Sequence, residues 1–172
     1  MHRRLPRFIT TLGIACLLGA CGFQLRGTGD EGASIPDSWR SMHLVTGNPN
    51  GEFARQVQTR FAANGVQWKD REDANYRLML GPDRFSQRNL SLNAEARAAE
   101  FELTMRARFS VLDSEGKAVI EETEVSTIKQ MENDPRNVVG KAEEVRILKA
   151  EMRAELAQQI MRRIGFFATG TQ

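Results

Sequence analysis

With 172 residues, 41% of them apolar and 27% charged, the chain is long enough to bury one core and too short for several. Its 24 Lys and Arg nearly balance its 22 Asp and Glu, and no basic stripe recommends a nucleic acid as partner. Two Cys and two His leave disulfide, metal and nucleophile-base chemistry short of residues.

Arg3, Arg4 and Arg7 form a positive start, and the 11 residues 8–18 that follow carry no charge. Spanning a bilayer takes about 20 apolar residues, so this run reads as the apolar region of a secretory signal. Leu18-Gly19-Ala20-Cys21 closes it. That stretch resembles the lipobox of bacterial lipoproteins, in which the Cys thiol accepts a diacylglycerol and cleavage leaves an acylated N-terminus. The resemblance implies that residues 1–20 are removed and that Cys21 is the lipidation site. Three basic residues leave with the signal, so 21 Lys and Arg then face 22 Asp and Glu. The sequence pI of 8.7 is thus largely a property of the leader. Cys16 and His2 leave as well. Cys21 as a thioether forms no disulfide, and His43 is the one His of the mature chain.

A Ser-His-Asp or Cys-His device needs a base beside its nucleophile, and His43 sits in the strand-like run Ser41-Met42-His43-Leu44-Val45. It reads as a His on the polar side of a strand. Glu122 and Glu124 share one strand face, which a solvated surface explains more cheaply than a glycosidase pair. No glycine-rich phosphate loop is present. No catalytic residue, metal or cofactor is expected, and the chain is not read as an enzyme.

Residues 21–37 are rich in Gly and read as a tether. A strand is expected at 40–46, then a turn at Asn48-Pro49-Asn50-Gly51 with Asn50 as helix N-cap. The helix covers 52–63, where Phe53, Val57 and Phe61 step by four. Asn64-Gly65 ends it, with Gly65 in the left-handed position. Tyr76, Leu78 and Leu80 alternate as a second strand. Gly81-Pro82 interrupts it, which leaves open whether pairing resumes near Phe85 or Leu90. The clearest strand is 101–112. Phe101, Leu103, Met105, Ala107, Phe109 and Val111 point one way, and Glu102, Thr104, Arg106, Arg108 and Ser110 the other. A turn at Asp113-Ser114-Glu115-Gly116 leads to a return strand at 117–128, whose imperfect alternation suggests a bulge at a position left open. Asp134-Pro135 starts a long helix. Its stripe is Val145, Leu148, Met152, Leu156, Ile160 and Ile164, with Gly140 a break point and Gly165 a stop.

The order strand-helix-three strands-helix predicts an α+β, two-layer sandwich. Two helices cover one face of a four-stranded mixed sheet, whose first two strands are parallel neighbours. One domain covers 38–167, and 168–172 is a short tail. The bare sheet face, with Glu102, Thr104, Arg106 and Arg108, suits water or a polar enclosure such as the lumen of a large barrel.

The opening Cys21-Gly22-Phe23-Gln24-Leu25-Arg26-Gly27 resembles that of the LptE family of lipopolysaccharide-assembly lipoproteins. Asn48-Pro49-Asn50-Gly51, Asn64-Gly65-Val66, Ala99-Glu100-Phe101 and the Asp-Pro step before the last helix are similar too, in order along the mature chain. The resemblance implies an outer-membrane lipoprotein, held on the periplasmic side by its acylated Cys21. It would sit inside an LptD-type β-barrel, assist assembly of that barrel, plug it, and bind lipopolysaccharide. Gly22 agrees with that location, since lipoproteins kept at the inner membrane commonly carry Asp there. Lipopolysaccharide is anionic, which directs attention to basic side chains. Lys141 follows Pro135 at a spacing like that of a basic residue in the family. Arg97 lies in the loop before the long strand, and Arg106 and Arg108 face outward on it. The competing reading is a pilotin-like outer-membrane scaffold for a different barrel.

Overall fold

The computed structural model describes residues 35–92, 98–133 and 138–170. The chain enters through Ile35, fully buried, and a single helical turn, Asp37–Trp39, that buries Trp39. Strand β1 (Ser41–Thr46) follows, then helix α1 (Glu52–Ala63). Phe53, Ala54, Val57 and Phe61 are its buried stripe, as their spacing requires. Gly51, not Asn50, is the N-cap, and no side chain caps the helix. Asn50 is instead held through its carbonyl, which accepts from the Arg55 guanidinium. At the other end Gly65 has φ +89°. Val66 N–H donates to the Phe61 carbonyl and Gly65 N–H to that of Ala62, both at 3.0 Å. This pair of bonds closes the helix in a left-handed cap that only Gly adopts without strain.

Four more strands follow: β2 (Gln67–Trp68), β3 (Tyr76–Leu80), β4 (Arg84–Leu92) and β5 (Ala98–Asp113). Strand β6 (Ala118–Glu132) and helix α2 (Val138–Gly170) complete the described residues. The architecture is α+β, and β1 and β3 are the expected parallel neighbours, paired from Met42↔Tyr76 to Thr46↔Leu80. The sheet runs β2-β1-β3-β5-β4, with β6 on the other edge of β5. Among the described residues it therefore has six strands, not four. β2 is two residues long, too short to show a pattern. β4 lacks one for a different reason. Its residues Gln87 and Asn89 stand in register with buried Leu103 and Phe101, so polar residues occupy positions where alternation would demand apolar ones.

β3 and β4 lie end to end along one edge of β5, at residues 109–113 and 98–106 respectively. Gly81-Pro82 makes the step between them. Gly81 N–H donates to the Arg108 carbonyl at 2.9 Å. A Cβ on Gly81 would come within 3.1 Å of that oxygen, so glycine allows the close approach while Pro82 withholds a ladder donor.

β6 holds the bulge, and it is double. Phe109 faces Thr123, Val111 faces Ile120 and Leu112 faces Ala118. One extra residue lies between Ile120 and Thr123 and another at Val119. The shift reverses the parity of the strand, so that even-numbered Ile120 and odd-numbered Val125, Thr127 and Met131 all turn inward.

α2 runs through both Gly140 and Gly165. Isolated glycine costs a helix only about 1 kcal/mol, and the core stripe continues past Gly165 to buried Ala168. Met152, Leu156, Ile160 and Ile164 are fully buried, while Val145 and Leu148 are partly so. α2 packs on α1, β5 and β6. Polar ties fix the helix laterally. Arg153 pairs with Glu52 of α1 and with Asp83 at 2.7 Å. Gln159 and Arg163 donate to the Ser126 and Glu124 carbonyls at 3.0 and 3.1 Å, covering part of the β6 edge.

Lys129 of β6 points toward α2, where it meets Glu155 and, at 3.6 Å, Glu151. Thr127 donates to Glu155 as well. The Lys129 hydrogen bond first, and that of Thr127 second, hold the Glu155 carboxyl below the usual carboxylate range. A carboxylate depressed on folding stabilises the fold above its unfolded pKa of about 4.3. That contribution disappears as the pH falls through the lower folded value. Glu155→Gln is therefore expected to be less stable than the parent near pH 7, with the gap in urea midpoint narrowing below about pH 4. A gap that is constant with pH would show that the charge of Glu155 contributes nothing.

Candidate functional site

The two sheet faces differ in kind. One is covered by α1 and α2. On the other, β5 presents Glu102, Arg106, Arg108 and Ser110, with Thr104 of the same row buried rather than bare, β4 presents Arg84, Ser86 and Arg88, and β6 presents Glu124, Ser126, Ile128 and Gln130. This face has no helix over it among the described residues, and it is the candidate interaction surface.

Its charges are arranged in rows across the strands. Arg88 grips Glu102 with two parallel bonds of 2.7 and 2.9 Å, the planar fork meeting both carboxylate oxygens. That contact holds the Glu102 carboxyl below its ordinary range and raises the Arg88 guanidinium. Arg108 lies between Glu122 at 3.3 Å and Glu124 at 3.4 Å. In the row between these pairs, Arg106 has Arg84 on one side and Ser126 on the other.

His43 stands opposite Arg77 on the same face, and its Nδ1–H donates to the Lys69 carbonyl at 2.9 Å. It is a bonded strand residue, as its neighbours in sequence suggest. Among the described residues no group of three His, Cys, Asp or Glu is placed to hold a metal ion. No described helix is long and apolar enough to cross a membrane.

The basic residues singled out from the sequence do not converge. Arg106 and Arg108 share the open face. Lys141 is at the start of α2, with its ammonium 4.2 Å from the centre of the Phe101 ring and donating to Asn133 Oδ1 at 2.5 Å. Phe101 points into the core, so Lys141 and Arg106 stand on opposite sides of the sheet. They are also about 17 Å apart along β5 at the usual strand rise. Arg97 and Cys21 lie outside the described residues. Arg84 completes the central row of the open face, and sequence reasoning passed over it. Its place opposite Arg106 follows from the β4–β5 register, which the polar sequence of β4 does not disclose.

The LptE (lipopolysaccharide-assembly) family pattern matches residues 39–164, from the turn before β1 to the last turns of α2. The chain is 29% identical over 157 residues to the LPS-assembly lipoprotein LptE of Yersinia pestis (strain Pestoides F), covering 89% of this chain and 72% of that one. Among solved structures, rare lipoprotein B from Shewanella oneidensis superposes with a TM-score of 0.68 at 26% identity, over 76% of this chain and 97% of that one. A lipoprotein B from Nitrosomonas europaea shares the fold, with a TM-score of 0.69 at 20% identity over 86% and 93% of the two chains.

Proposed function

Because the chain belongs to the LptE lipopolysaccharide-assembly family, we propose that it is the lipoprotein subunit of an outer-membrane lipopolysaccharide translocon. In this reading acylated Cys21 holds it on the periplasmic side of the outer membrane. The domain assists assembly of an LptD-type barrel, plugs its lumen and binds lipopolysaccharide. Its role is one of binding and scaffolding rather than catalysis.

The observation that carries the reading is the open sheet face. Apart from Ile128, which is 59% exposed, the residues named on it are polar or charged and can meet the polar wall of a large barrel. Affinity purification of the full-length lipoprotein from detergent-solubilised outer membranes tests it. A lipopolysaccharide-transport barrel recovered at one-to-one stoichiometry is expected. Recovery of a different barrel would favour the pilotin-like scaffold instead.

Lys141, Arg97, Arg106 and Arg108 are the proposed lipopolysaccharide contacts. Lys141 supports its own candidacy by geometry: Phe101 and Asn133 fix its ammonium at the rim of the helix-covered face. Lys141→Asp is expected to weaken lipopolysaccharide binding by about tenfold or more, the usual weight of a charge-assisted hydrogen bond. The dissociation constant of the purified full-length lipoprotein in detergent measures this, and an unchanged value would remove Lys141 from the set.

A further inference from the structure

One arrangement on the open face is not explained by folding. Arg84 of β4 and Arg106 of β5 are register partners across an antiparallel pair, so their Cβ atoms are about 5 Å apart on the same face. Like charges so placed repel and weaken the sheet. Both side chains are exposed, and neither has an acidic partner among the described residues. The nearby acids are committed elsewhere: Glu102 to Arg88, Glu122 and Glu124 to Arg108. The row four residues away along the same strands, Arg88 opposite Glu102, has the compensating acid that this row lacks.

We propose that Arg84 and Arg106 form a two-pronged clamp for a phosphate group of lipopolysaccharide. The inference rests on the lipopolysaccharide-binding reading above and names a subsite for it. Two guanidinium forks side by side offer two planar pairs of donors. A carboxylate has two oxygens and is filled by one fork, as Glu102 is by Arg88. A phosphate monoester has three free oxygens and can accept from both forks together. Phosphate chemistry therefore suits the site better than an acidic side chain of a partner protein. Ser86 neighbours Arg84 along β4, and Ser126 faces Arg106 from β6, so two exposed hydroxyls border the pair with neutral donors.

The test uses the full-length lipoprotein in detergent, as wild type and as the double variant Arg84→Gln/Arg106→Gln. The probes are lipopolysaccharide, enzymatically dephosphorylated lipopolysaccharide, and inorganic phosphate as competitor. The wild type is expected to bind the phosphorylated form about tenfold or more tightly than the dephosphorylated form. The double variant is expected to lose that preference while its thermal midpoint stays level or rises, because the repulsion is gone. A purely structural role would lower the midpoint and leave the preference intact, and either result overturns the clamp. A wild type that binds both lipid forms equally overturns the clamp alone, whereas binding to neither overturns the lipopolysaccharide reading with it. Complete competition by millimolar inorganic phosphate would make this a free-anion site rather than a lipid subsite. If the variant binds lipopolysaccharide normally but no longer co-purifies with its barrel, the occupant is an acidic group of the barrel and the phosphate assignment falls.

Discussion

Leu156→Ala is expected to lower folding stability by about 3 kcal/mol, seen as a fall in the urea midpoint with the slope unchanged. Leu156 is fully buried on the α2 stripe, with Met152 and Ile160 one turn to either side. Truncation removes three carbons from a site bounded by both the sheet and a second helix. The neighbours belong to rigid elements and collapse only partly into the space, so a cavity term adds to the lost transfer energy. A domain of this size has roughly 5–15 kcal/mol in total, and its sole mature Cys is the one proposed to be acylated, leaving no disulfide to compensate. Ile147→Ala on the same helix is the control. Ile147 is 46% exposed, and its truncation is expected to shift stability by no more than about 0.5 kcal/mol. A Leu156→Ala loss as small as that of the control would mean that α2 does not pack on the sheet.

How much of this fold could be read in the sequence depended on how many physical demands each residue met. In β5 the alternation of Phe101 to Val111 follows burial, because α2 covers one face and no described helix covers the other, where Thr104 alone among Glu102, Thr104, Arg106, Arg108 and Ser110 is buried. Every inward residue from Phe101 to Val111 in that alternation is buried in the structure. Gly65 was legible because its positive φ excludes most other residues. β4 was illegible because its inward positions include Gln87 and Asn89, whose side chains are exposed. The double bulge of β6 was detectable only as noise, since the extra residues are defined by pairing with β5 and not by their own character. Gly165 misled because local propensity favours a stop there, and packing of Ile164 and Ala168 outweighs it. The candidate site suffers from the same dependence on register. Arg106 could be assigned to the outer face from alternation, but its opposition to Arg84 is a fact of strand pairing. That Lys141 stands across the sheet from Arg106 is likewise a fact of helix placement.

Cys21→Ala is expected to have the largest effect on function: complete loss of palmitate incorporation and a fall of the protein in the outer-membrane fraction to what its barrel partner retains. Nothing among the described residues replaces an acyl chain as a membrane anchor. Each buried CH₂ of an acyl chain contributes about 0.8 kcal/mol of membrane affinity, and two or more chains are needed for stable attachment. Ala supplies none. No described helix is long and apolar enough to cross a bilayer. Residues 21–172 carry 21 Lys and Arg against 22 Asp and Glu, so electrostatic attraction to anionic lipid is no substitute. The unprocessed leader is uncharged over 8–25, but its mostly apolar part, 8–18, is only 11 residues, short of the roughly 20 apolar residues that span. Without its anchor the domain also loses the high local concentration that a short tether gives it near a membrane-embedded partner. Recovery of the barrel with the lipoprotein should then fall even though the folded domain, checked by its urea midpoint, is intact. Palmitate labelling that survives Cys21→Ala, or an outer-membrane level that does not change at all, would place the attachment elsewhere and sink the anchor.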